Sequence, residues 1–156
     1  MNVKEIAELF DRKASISIVL VNSVQSPRLT IRVHDEDEMA LLYKAKELFG
    51  GSISAYRHRS HRGSDNYRTC CQYYLFGKGL GSALDVLKDH MIDQAEQVKL
   101  GLEATTLTMK RGQEVSEANY EKRMQIKKAL SELNNGDKKE QRKMRTAERH
   151  NRRNNQ

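Results

Sequence analysis

The order of apolar and polar positions along the chain predicts a succession of short elements. Residues 4–13 have the spacing of an amphipathic first helix, with Ile6, Ala7, Leu9 and Phe10 as its apolar positions. Ser15 to Val21 is β-branched and apolar, Asn22 to Ser26 has turn composition, and Pro27 to Val33 alternates strictly, which together read as a hairpin. In its second strand Leu29, Ile31 and Val33 fall on one face and Arg28, Thr30 and Arg32 on the other. Asp35 to Phe49 is the clearest helix: Asp35 caps it, Glu38 completes a capping-box spacing, Met39, Leu42, Ala45 and Phe49 share a side, and Gly50-Gly51 ends it. A second hairpin, Ser52 to Arg59 and Tyr67 to Phe76, encloses a loop with Gly63-Ser64-Asp65-Asn66. Gly77 to Ser82 reads as the turn into helices at 83–91 and 93–107, with Leu84, Leu87, Val98 and Leu102 as core positions. Beyond a polar connector at 109–115, Ser116 caps a helix to Leu133 whose apolar stripe is Tyr120, Met124, Leu130 and Leu133, with Asn134-Asn135-Gly136 as its stop.

Charge changes this picture more than composition does. A chain of 156 residues allows one domain and a tail, and a formal charge of +7 points to an acidic partner, nucleic acid before an anionic membrane surface. The hairpin around the second loop carries Arg57, His58, Arg59, His61, Arg62 and Arg68 with Tyr56 and Tyr67 among them, a mixture suited to phosphate and base contact. Lys78, beside the amides of a helix start, could take one phosphate. Residues 137–156 hold eight Lys/Arg against three acids, a net +5, with Met144 and Ala147 as the apolar residues. The expected division is therefore a domain at 1–135 and a basic tail at 136–156, disordered alone and helical against nucleic acid. His58 and His61 would point to opposite faces of a strand, so no metal site is expected. Cys70 and Cys71 are adjacent in sequence, which suits neither a disulfide framework nor zinc. No apolar run spans a membrane and no secretory signal is recognisable, so an intracellular setting is expected, whether cytoplasm, nucleoid or organelle matrix.

Residues 6–16 resemble the motif of the LAGLIDADG homing endonucleases. Ile6, Ala7, Leu9, Phe10, Asp11, Ser15 and Ile16 fit its pattern; Glu8, Arg12, Lys13 and Ala14 depart from it. The likeness extends over residues 5–135 through Phe49-Gly50-Gly51-Ser52-Ile53, Tyr67-Arg68, Leu75-Phe76-Gly77, Leu84-Asp85-Val86-Leu87 and Glu96-Gln97, in matching order. It implies an α+β, αββαββα fold with an antiparallel, saddle-shaped sheet. Helices back its apolar face, and the concave face reads the DNA major groove.

The departures bear on chemistry. The motif's second acid, which in the family holds divalent metal at the scissile phosphates, is here Lys13, an ammonium that repels metal and pairs with phosphate. An activity-linked lysine of the later helix aligns with Gln94. The resemblance thus implies a binding protein, for duplex DNA first, with both catalytic positions lost, Asp11 retained and no cofactor. Its contacts would be Lys13, Arg28, Thr30, Arg32, Tyr56, the hairpin from Arg57 through His58 and Arg59 to Arg62, Arg68, Gln72, Tyr74 and Lys78. Two alternatives stand beside it: a magnesium-dependent endonuclease in which Asp11 or Glu8 ligates the ion, and an RNA-binding or ribonucleoprotein component. Single-motif members act as homodimers, which implies an interface on the first helix at Ile6, Ala7, Leu9 and Phe10. There Glu8 and Arg12 would repel a twofold copy unless they pair with one another across the axis, and a heterologous partner could equally take that face.

Overall fold

The computed structural model describes residues 3–21, 24–59, 67–107 and 117–154. Helix α1 (Val3–Lys13) leads into the hairpin β1 (Ser15–Val21) and β2 (Val24–Val33). Helix α2 (Glu36–Phe49), the hairpin β3 (Ser52–Arg59) and β4 (Tyr67–Phe76), and α3 (Gly77–Leu87) follow. A 3-10 turn (Lys88–His90), α4 (Ala95–Thr106) and α5 (Glu117–Asn154) complete the chain. The expected αββαββα order is present. The strands form one antiparallel sheet in the order β1-β2-β4-β3, so the second strand of each hairpin lies at the centre.

Period-two alternation decides which face is covered. Ile16, Leu29, Ile31, Val33, Cys71, Tyr73 and Leu75 share the face that packs on the helices, and all are buried. Against them lie Ile6, Ala7, Leu9 and Phe10 of α1, Leu42 and Ala45 of α2, Leu80, Ala83, Leu84 and Leu87 of α3, and Val98 and Ala104 of α4. The Phe10 and Tyr73 rings meet at 6.0 Å. Gly101 lets α4 come close to the sheet, since a Cβ there would stand 3.1 Å from Leu84 and 3.2 Å from Ile16. The turn from α2 into β3 has a comparable requirement. Gly50 and Gly51 have φ of 79° and 88°, a Cβ on Gly51 would meet the Tyr74 carbonyl, and the Tyr73 hydroxyl donates to Gly50 O at 2.7 Å.

Several boundaries differ from the sequence reading. β2 begins at Val24 rather than Pro27, and helix already starts at Gly77, inside the segment read as a turn. Glu38 stands at the capping-box position and Asp35 does accept from the Asp37 and Glu38 amides, but the Glu38 carboxylate is committed to Lys13. Among the α5 residues whose burial is described, the buried positions are Arg123, Ile126 and Leu130, while Tyr120 and Met124 face solvent. Arg123 donates to the Leu107 carbonyl at the end of α4. The helix also runs through Asn134-Asn135-Gly136 to Asn154, 38 residues in all. Gly136 adopts helical geometry there, and the Lys, Arg, Glu and Gln that follow are good helix formers that outweigh one unfavourable glycine. Within its first half α5 packs on α4 and along β1, where Asn134 donates to Ile16 O at 3.0 Å. No helix among the described residues is long and apolar enough to cross a membrane.

Candidate nucleic-acid interface

The face of the sheet turned away from the helices carries the polar half of each alternating strand. Its residues follow from the register: Ser15 lies opposite Thr30 and Ser17 opposite Arg28, while Thr30 and Arg32 lie opposite Tyr74 and Gln72. From β3, Ser52, Ser54, Tyr56 and His58 pair with Tyr74, Gln72, Cys70 and Arg68 on the same side. Arg28, Thr30, Arg32, Tyr56, Arg68, Gln72 and Tyr74, all expected to act together, are thus brought onto one surface, with His58 at a register position on it.

Arg57 and Arg59 are not. They pair with Thr69 and Tyr67, one residue out of phase, and therefore occupy the opposite side of the sheet; Tyr67 goes with them. The expectation that the whole Arg57–Arg62 segment lines one face fails for that reason: consecutive strand residues cannot share a face. Arg62 and His61 lie outside the described residues. Lys78 is exposed in the first turn of α3.

Within this open face, the Arg28 guanidinium stands over the Tyr74 ring, 5.6 Å from its centroid, which holds its planar fork in a set direction. Arg28 Nε and Thr30 Oγ1 are enclosed yet have no hydrogen-bond partner. Such groups cost free energy unless a partner arrives. The Tyr56 hydroxyl is held above its ordinary pKa, first by its hydrogen bond with Cys70, with Arg32 acting in the other direction. It is neutral at physiological pH and able both to donate and to accept.

The motif region has a different character. Asp11 accepts from the backbone N–H groups of Ile92, Asp93 and Gln94 at 3.1, 3.0 and 2.8 Å, placing its negative charge where α4 begins. In return the buried Gln94 amide donates to the carbonyls of Phe10, Asp11 and Ala14 at 3.1, 2.9 and 2.7 Å, satisfying the last turn of α1. Lys13 reaches Glu38 at 2.6 and 3.0 Å, and Arg12 stands 3.6 Å from the same carboxylate. These residues do not fit a divalent ion: position 13 is a cation already neutralised by Glu38, and both Asp11 oxygens are engaged by amides. Among the described residues no group of three His, Cys, Asp or Glu side chains gathers as a metal site would require.

Ile6, Ala7, Leu9 and Phe10, expected at an interface, are instead wholly within the chain's own core. The outward side of α1 consists of Lys4, Glu5, Glu8 and Arg12, with Lys4 and Glu8 4.0 Å apart. Sequence alone does not show the reciprocal Asp11–Gln94 arrangement, because its partners are more than 80 residues apart; a glutamine just ahead of a helix start is the available signal.

An antiparallel sheet with helices on one face and arginines on the other, entered through a helix of motif-like sequence, is the fold of the LAGLIDADG homing endonucleases. One of its solved examples is the homing endonuclease I-CvuI in complex with its target, which superimposes with a TM-score of 0.60 at 13% identity over 85% of this chain and 81% of that one. The LAGLIDADG meganucleases I-CpaMI and I-AabMI, each bound to uncleaved DNA, superimpose with TM-scores of 0.53 and 0.51 at 21% and 17% identity. These cover 77% and 81% of this chain but 42% and 44% of theirs, so the chain spans less than half their length. No model of a protein family matches the sequence, and no curated protein matches it.

Proposed function

We propose that this protein binds duplex DNA through the open face of its sheet and does not cleave it. The observation that carries the reading is the coexistence on that face of three arginines, three tyrosine or glutamine side chains and two enclosed groups without partners, on a fold that includes meganucleases solved bound to uncleaved DNA. Arg28, Arg32 and Arg68 supply phosphate or guanine contacts, and Thr30, Tyr56, Gln72 and Tyr74 supply base-edge or sugar contacts. Lys78 adds a phosphate contact at the rim. Lack of cleavage follows from the motif: a metal-assisted displacement needs free carboxylate oxygens, and here Asp11 holds α4 while Lys13 is held by Glu38.

A mate for α1, whether a second copy or another protein, would meet Lys4, Glu8 and Arg12 rather than an apolar surface, so pairing there is electrostatic and salt-sensitive. The decisive experiment is a titration of the full chain with duplex DNA and, separately, with structured RNA at matched salt, beside incubation of supercoiled DNA with protein and magnesium. Preferential duplex binding with intact DNA is the expected result. Metal-dependent double-strand cuts would establish the endonuclease alternative, and preference for RNA would establish the ribonucleoprotein one; light scattering of the same samples gives the stoichiometry.

A further inference from the structure

The arginines of the open face are not equivalent. Arg32 and Arg68 are exposed, whereas Arg28 is half-buried, with its guanidinium 5.6 Å from the centre of the Tyr74 ring. A stacked guanidinium keeps its plane and direction, so less rotamer freedom is lost when a ligand arrives. None of the ion pairs among the described residues engages Arg28, and its Nε has no hydrogen-bond partner. Its direction is thus set by an aromatic ring and not by an acid.

Directly opposite Arg28, on the other central strand, stands Phe76. Phe76 falls to the open face because Cys71, Tyr73 and Leu75, out of phase with it, are buried against the helices. It is 42% exposed, a phenyl ring with no polar atom beside Ser17, Arg28 and Tyr74. Facing residues of this kind hold their Cβ atoms about 5 Å apart, and successive bases along one strand of a duplex are spaced about 3.4 Å apart. Two opposed side chains therefore reach two neighbouring base pairs.

Chemistry selects which pairs. In the major groove a planar fork of donors finds its two-point match in the O6 and N7 acceptors of guanine, and a phenyl ring finds its apolar match in the C5-methyl group of thymine. We propose that Arg28, oriented by Tyr74, and Phe76 form a two-residue reader of adjacent base pairs, Arg28 taking a guanine and Phe76 the methyl group of a thymine beside it. The proposal rests on the reading that the open face binds duplex DNA, and it names the element of sequence that this face selects. Arg32 and Arg68 supply phosphate contacts, which add affinity without selecting a sequence.

The test uses the full chain and a duplex that it selects from a random pool. At the selected site guanines are replaced one at a time by 7-deazaguanine, which lacks N7, and thymines by deoxyuridine, which lacks the methyl group. For the natural chain one guanine replacement should cost about tenfold in affinity, and deoxyuridine in the adjacent base pair about threefold. Arg28→Lys keeps the charge but not the fork, so it should lose sensitivity to that 7-deazaguanine while the salt slope changes by under about one. Tyr74→Leu should reduce the same sensitivity, and Phe76→Ala should bind the thymine and deoxyuridine duplexes equally. Arg32→Ala should weaken binding and lower the slope by about one with both sensitivities kept. Circular dichroism establishes that the variants are folded, and the measurements on the natural chain stand whether or not each one is. Equal sensitivity to 7-deazaguanine in Arg28→Lys and the natural chain would overturn Arg28 as the guanine reader. Indifference of the natural chain to every deoxyuridine, or unchanged sensitivity in Phe76→Ala, would overturn Phe76. Sensitive positions that are not adjacent overturn the pairing. Binding of duplex with no sequence enriched in the pool overturns the reader while leaving the sheet reading standing, and failure of the natural chain to bind duplex overturns both.

Discussion

The junction between α1 and α4 and the open face of the sheet contain the same kinds of side chain, yet they treat them in opposite ways. At the junction each of the principal polar groups has been given an internal partner: Asp11 serves three amides, Gln94 three carbonyls, and Lys13 a carboxylate. On the open face, Arg28 Nε and Thr30 Oγ1 are enclosed without one. An unpartnered buried polar group costs about 1–3 kcal/mol, so a fold retains it most readily where something outside the chain completes the bond. On the proposed reading, polar groups at the junction serve stability and those on the sheet await a ligand.

That assignment is easiest to break at Asp11. Asp11→Ala should lower unfolding free energy by about 3 kcal/mol, because three helix-start amides lose a charged acceptor at once. Chemical denaturation reads it, and a double-mutant cycle with Gln94→Leu should show coupling between the two. A stable Asp11→Ala protein with impaired DNA binding would reverse the contrast. Arg32→Ala combined with Arg68→Ala is the complementary change. Affinity for duplex should fall about tenfold or more and the salt slope by about two, with stability altered by no more than about 0.5 kcal/mol. Lys13→Met should cost about 1 kcal/mol by releasing a partly exposed ion pair, and should leave both DNA affinity and the absence of cleavage as they were. If affinity drops instead, Lys13 leaves Glu38 for phosphate in the complex.

The smallest effect concerns pH. Burial pushes the Tyr73 hydroxyl up to about 12 from an ordinary 10.0. The folded state therefore keeps its proton where the unfolded chain loses it, and this contribution is whole below pH 10 and declines as pH rises toward 12. Thermal melts across that range should show a shallower alkaline decline for Tyr73→Phe, which also gives up the bond to Gly50.

Much of this architecture was legible because local rules and tertiary outcome agree. Alternation in Arg28 to Val33 assigned both faces of β2 correctly, and Gly50-Gly51 marked a turn that backbone geometry requires. Where sequence and structure differ, the deciding interaction is distant in sequence or charge competes with periodicity. Charge groups Arg57 and Arg59 with Tyr56, but period two separates them. Apolar spacing in α5 points to Tyr120 and Met124, whereas packing on α4 and β1 selects Arg123 and Ile126. Asp11 was recognisable as a survivor of the motif, but its employment at α4 depends on a fold that brings residues 11 and 94 together. For the motif apolar residues the outcome is similar, since their burial in the chain's own core leaves charge on the outer side of α1.

The hydrogen bond from Asn134 to the Ile16 carbonyl has a practical corollary. β1 is an outer strand, and a strand margin with bare carbonyls and amides invites another chain to add itself there. By lying along that margin, α5 acts as a selvedge that keeps the sheet from growing sideways. Shortened versions of the protein that end before residue 117 should therefore self-associate, whereas versions cut after Gly136 should stay dispersed.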